Sequence, residues 1–164
     1  MAEFEEWHKI LEQRDNSCVS GFATGLSAIL THRAACHLGD WDTARALEDE
    51  ASAILLEIEK SGDEDLAMGF RAVIPHLQGV RLALRGDYAI AAKHLWAADE
   101  RLGFIGADLG MYRLYNRMLL AEVMLAGGKT AEAHEVLAKV RSINSRMLEQ
   151  FEETGFRYLG LDRG

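Results

Sequence analysis

Three times along this chain a helix-like stretch stops at a glycine, and a small residue follows five positions later. The three segments are AACHLGDWDTARALEDEAS (34–52), RLALRGDYAIAAKHLWAAD (81–99) and EVMLAGGKTAEAHEVLAKV (122–140). The glycines are Gly39, Gly86 and Gly128, and the small residues are Ala44, Ala91 and Ala133. Seven positions further on stand Ala51, Ala98 and Val140. An internal repeat of this kind constrains the fold more than any single motif, because each unit must bury its face against the next. Glycine ends a helix by accepting the left-handed conformation. Asp40 and Asp87 are then expected to cap the following helix at its positive end. Trp41 and Tyr88 are expected to fill the elbow, and the small residues let two antiparallel helices approach closely. One proline against 15 glycines in 164 residues also opposes an all-β fold, which needs many more turn breakers.

Apolar spacing predicts the elements. Residues 3–13 read as a short amphipathic helix carrying Phe4, Trp7, Ile10 and Leu11. Longer helices are expected over 17–38, 41–60 and 64–85, the last kinked or broken at Pro75. Another covers 88–103, and Gly103 and Gly106 bracket the loop that follows. The helix at 107–126 is apolar nearly all round and therefore central. The series Ala133, Val136, Leu137, Val140, Ile143, Met147, Leu148 and Phe151 predicts one helix from 130 to 154. Gly155 ends it, and Phe156–Leu161 should pack back.

The GDW-x-x-A and GDY-x-x-A turns at 39–44 and 86–91 resemble the tetratricopeptide repeat. Gly79 and Ala121 match that family's earlier small residue. The third repeat departs from the pattern with Lys129 and Thr130, and the first with His32. The steps between glycines, 47 and 42 residues, exceed the usual ~34. Longer repeats of this kind resemble the sensor arrays of bacterial MalT-like transcription activators. The resemblance spans roughly residues 17–146. It implies an all-α fold: an α-solenoid of about three antiparallel hairpins with extra terminal helices, forming a single repeat domain over 1–164. It also implies that the first helix of each pair lines a concave side. The groove positions then include Arg33 and His37 from the first pair, His76, Val80 and Leu84 from the second, and Tyr115, Met118 and Glu122 from the third. This apolar trough suits a helix or peptide from a protein partner, and the expected function is a non-enzymatic interaction module. The competing reading makes these residues core, closed over by the N-terminal helix or the tail. A second function is a ligand-sensing or regulatory fragment of a larger activator, and a third is a helical metal-binding protein. The third repeat's first helix is apolar on more than one side (Met111, Tyr112, Leu114, Tyr115, Met118, Leu119), and three repeats without obvious polar caps leave an end face to cover, which suggests a homodimer.

Charge and motifs exclude several other classes. Net charge is −8, which opposes non-specific nucleic-acid binding. Residues 1–65 hold 15 acidic and 5 basic side chains, a run best read as solvated faces. The start, MAEFEEWHKI, has no apolar signal region, and the Val19–Leu30 run is too short to span a bilayer. Cys18 and Cys36 read as small buried hydrophobes of a reducing, cytoplasmic compartment. His32, Cys36 and His37 lie close on one helix but lack the further ligands of a structural zinc site. Glu5 and His8 form one Glu-x-x-His, where di-iron bundles need two. Gly21 and Gly25 suggest a close helix approach. There is no Walker loop, GxGxxG or GxSxG, so no cofactor and no catalytic residue is expected.

Overall fold

A computed structural model describes residues 18–103 and 110–161. These residues form seven helices and no strand. They are α1 (Cys18–His37), α2 (Trp41–Ser61), α3 (Glu64–Leu84), α4 (Tyr88–Leu102), α5 (Gly110–Ala126), α6 (Thr130–Ile143) and α7 (Ser145–Glu153). Each helix packs on the next, most extensively α3 on α4, and α3 also touches both α1 and α5. The expected helix at 3–13, the loop at 104–109 and the Gly21–Gly25 approach to that first helix lie outside the described residues. None of the described helices is long and apolar enough to cross a membrane.

The repeated turns form as their chemistry dictates. Gly39, Gly86 and Gly128 take φ of 73°, 86° and 75°, where a side chain is strained. Asp40 caps α2 by accepting from the Thr43 N–H at 3.1 Å. Asp87 occupies the same position before α4 without a side-chain capping bond, contrary to expectation. The matched small residues are where helices meet: Ala44, Ala91, Ala98, Ala133 and Val140 are fully buried. Gly79 shows how close the approach is. A Cβ there would stand 2.7 Å from Leu95 Cγ, so α3 and α4 pack backbone against side chain.

The expected break at Pro75 is absent, and an unexpected one occurs at Asn144. α3 runs through Pro75 from Glu64 to Leu84 as one helix. Proline there removes one backbone donor, but α3 is flanked by α1, α2, α4 and α5, and that packing outweighs the loss. The helix expected over 130–154 instead stops at Ile143 and restarts at Ser145. Asn144, at φ −149° and ψ 89°, leaves the helical region, and its side chain accepts from the Met147 N–H at 3.0 Å. This asparagine cap competes with the apolar periodicity and wins. Beyond α7 the tail returns as expected. Leu159 and Leu161 join the main core with Leu95, Met118, Leu119, Val140 and Phe151.

Candidate functional site

α1, α3 and α5 contribute the face on which the predicted trough residues lie. Their burial divides them. Val80, Met118, Glu122 and His76 are buried. Arg33, Leu84 and Tyr115 are half-buried, and His37 is exposed.

The structure brings Arg33, Tyr115 and Glu122 together through the tail. Glu122 Oε2 accepts from the main-chain N–H of Tyr158 at 2.5 Å and of Leu159 at 2.7 Å. Its Oε1 accepts from Leu161 N–H at 3.1 Å. From α1, Arg33 donates to the Tyr158 carbonyl and to Tyr115 Oη. The Tyr115 and Tyr158 rings meet edge to face at 4.6 Å. The tail thus packs against Arg33 of α1 and against Tyr115 and Glu122 of α5.

His76 belongs to a different environment. Asn116 Nδ2 donates to the Leu95 carbonyl at 2.9 Å, which leaves Asn116 Oδ1 to accept from His76 Nδ1 at 2.9 Å. Burial pushes the His76 pKa below the usual histidine range. The Asn116 bond opposes that shift, while His32 and Arg33 add to it. A histidine kept neutral when folded favours the folded state fully only above the ordinary histidine pKa, about 6.5. Below that value the unfolded chain takes up the proton first, so stability falls with pH. The expected contribution approaches about 1.4 kcal/mol per pH unit. Urea unfolding at a series of pH values should show this slope, and His76→Asn should reduce it.

Among the described residues an apolar pocket of about 310 Å³ lies beside the tail. It is lined by Ile29, Leu30, His32 and Arg33 of α1, His76, Leu77 and Val80 of α3, Met111, Tyr112, Tyr115 and Leu119 of α5, and Met147 of α7. Leu30 and Met111 at its rim are 64% and 58% exposed. A neighbouring cavity shares Arg33, Met111 and Met147 with it and adds Arg146, Arg157 and Tyr158. Neither lining contains an aspartate or glutamate.

Two buried ionic groups lie outside the predicted trough residues, one of them in the acidic run read as solvated. Glu48 of α2 accepts from Arg81 Nε at 2.7 Å and Nη2 at 3.0 Å, and from His32 Nε2 at 3.0 Å. It therefore ties α1, α2 and α3 together. Asp99 of α4 accepts from Arg117 Nε at 2.8 Å and from Arg113 Nε at 3.2 Å, both on α5. Helix spacing shows that Arg113 and Arg117 share one face, but not that a carboxylate on another helix meets them.

Cys36 Sγ lies 3.7 Å from His32 Nδ1. Burial and the nearby Glu48 carboxylate push its thiol pKa up to about 11, against the opposing pull of Arg81. A thiol so held is a poor nucleophile near neutral pH. Among the described residues no group of three His, Cys, Asp or Glu side chains is placed to hold a metal ion.

In comparisons with protein-family models, with curated proteins and with solved structures, nothing matches this chain.

Proposed function

We propose that this chain is a non-enzymatic protein–protein interaction module that receives the apolar face of a partner helix or peptide between α1, α3 and α5. The observation that carries this reading is the apolar pocket with Leu30 and Met111 standing exposed at its mouth. Soluble surfaces seldom leave large apolar side chains together at a concavity without a use for them. Two titratable groups of the pocket, His76 and Tyr115, are poorly suited to acid–base work. His76 is committed to Asn116 and held neutral, and burial raises the Tyr115 hydroxyl pKa despite the adjacent Arg33. The arginines of the adjoining cavity suit acidic residues flanking the partner's apolar face.

The architecture behind this proposal is a tetratricopeptide-like stack of three helical hairpins, α1–α2, α3–α4 and α5–α6, with α7 and the tail added. It is supported by the order of helix contacts, with α3 touching both α1 and α5, and by the repeated positive-φ glycines. In such a stack the first helices share one side, which is where the pocket lies.

Met111→Glu and Leu30→Glu test the reading. Both positions are exposed, so stability should change by no more than about 0.5 kcal/mol. A charge in an apolar contact should weaken a bound partner about 30-fold or more, as expected for a central contact residue. Affinity capture from the source cell with the wild-type and substituted proteins reads this directly. Proteins retained by wild type and lost from both variants are the expected result. An identical set retained by all three overturns the proposal.

A further inference from the structure

The segment that follows α7 crosses the trough in the manner of a bound peptide. After Gly155, at φ 68°, residues 156–161 leave helical structure and run between Arg33 of α1 and Glu122 of α5. Tyr158 is half-buried beside two buried leucines. Leu159 and Leu161 are buried, while Arg157 and Gly160 are exposed. Tyr158 lies against Tyr115 and, at 5.4 Å between ring centroids, against Phe151.

The polar contacts are main-chain contacts on the tail's side. The three hydrogen bonds that Glu122 accepts come from backbone N–H groups, and Arg33 donates to a backbone carbonyl. Successive N–H groups curled around an anion form a nest. Here the anion is a carboxylate only 2% exposed, and among the described residues no lysine or arginine pairs with it. Main-chain hydrogen bonds with pockets for alternate side chains are how a groove recognises an extended segment: the former hold it and the latter select it. Gly160, at φ 72°, fixes one position of the pattern, because a side chain there is strained.

We propose that the α1–α5 side of the trough is a peptide-binding site filled in cis by residues 158–161, and that a partner segment of the pattern aromatic–Leu–Gly–Leu competes with the tail for it. The inference rests on the interaction reading of this face but uses Arg33 and Glu122 in place of the apolar pocket. The tail then acts as a built-in competitor. It covers the site until a segment offering the same N–H groups and the same two leucines replaces it.

The test uses the full chain with a protease site inserted after the exposed Gly155, cut once folded. A fluorescein-labelled peptide with the sequence of residues 155–164 is then added and its anisotropy followed. The cut protein should exchange its tail for the peptide, and the uncut protein should bind it at least about tenfold more weakly, since a tethered segment competes at high effective concentration. Glu122→Gln in the cut protein should weaken binding about tenfold or more, as expected for hydrogen bonds to a charged acceptor. A peptide with serine in place of both leucines should not bind. If cutting unfolds the protein, excess peptide should restore its helical circular dichroism. A cut protein that keeps its own tail and takes up no label overturns the proposal. So does equal binding by the Glu122→Gln variant, or failure of the peptide to refold an unfolded cut chain. Met111→Glu does not touch these contacts, so loss of partner capture and loss of tail exchange can fail independently.

Discussion

Glu122→Ala should lower the free energy of unfolding by about 3 kcal/mol or more, because it leaves several buried donors without an acceptor. Three buried or half-buried N–H groups, of Tyr158, Leu159 and Leu161, lose their acceptor together. Each buried N–H left without a partner costs about 1–3 kcal/mol. The tail has one escape, which is to lift and meet water. That route withdraws Leu159 and Leu161 from the core, at about 1.5–3 kcal/mol for each side chain. Either way the loss is large. Glu122→Gln keeps one carbonyl oxygen as acceptor and should recover part of it. Urea denaturation of the two variants checks the order. A loss below about 1 kcal/mol for alanine would mean that the tail gains little from its carboxylate.

Glu48→Ala should destabilise by a similar amount, about 3–5 kcal/mol, for a different reason. The carboxylate is 4% exposed, and its removal strands the Arg81 guanidinium and the fully buried His32. Replacing Glu48 and Arg81 together with leucine should cost less than Glu48→Ala alone, because the guanidinium is no longer left unpaired and only His32 loses its acceptor. The same group makes a prediction in acid. Burial pushes the Glu48 carboxyl pKa up, but hydrogen bonds from His32 and Arg81 outweigh it and leave the value below the ordinary one. A carboxylate depressed in the folded state stabilises fully above its unfolded pKa, about 4.3. That stability is lost as pH falls through the folded value. Unfolding curves below pH 5 should therefore show a loss that the double leucine variant lacks.

Helix positions were legible because each helix stop carries its own local chemistry. Gly39, Gly62 and Gly86 end or follow helices at left-handed φ, as glycines of such turns do. Asn144 was legible in principle, since an Asn–Ser pair is a capping signal, but the apolar series from Val140 to Phe151 runs straight across it. Periodicity says which residues are apolar on one side, not whether the backbone between them is continuous. Pro75 does not break α3, the opposite of what happens at Asn144. Its local cost is real, but neighbours distant in sequence decide the outcome.

The residues expected to line a trough lie in α1, α3 and α5, but their partners could not be read from the sequence. Glu122 reads in sequence as one polar point on an apolar helix, and nothing nearby shows that the acceptors of three tail N–H groups are its two oxygens. Glu48 reads as part of an acidic, solvated run, yet it faces α1 and α3. A charge on a helix is solvated or buried according to what the other helices bring to it, and one sequence gives no register between them. Tail packing could be anticipated from Tyr158, Leu159 and Leu161, because an apolar run after a helix stop must bury somewhere.

Where each helix touches only its neighbours, the ends of a protein unravel separately and leave the middle intact. The bond from Arg33 to the Tyr158 carbonyl joins residues 125 apart. It makes a loop of a line. The first described helix cannot loosen without releasing the tail, and a released tail strips Glu122 of its donors deep in α5. Disturbance at either end is therefore felt at the other, and the chain should melt in one cooperative step without fraying by stages.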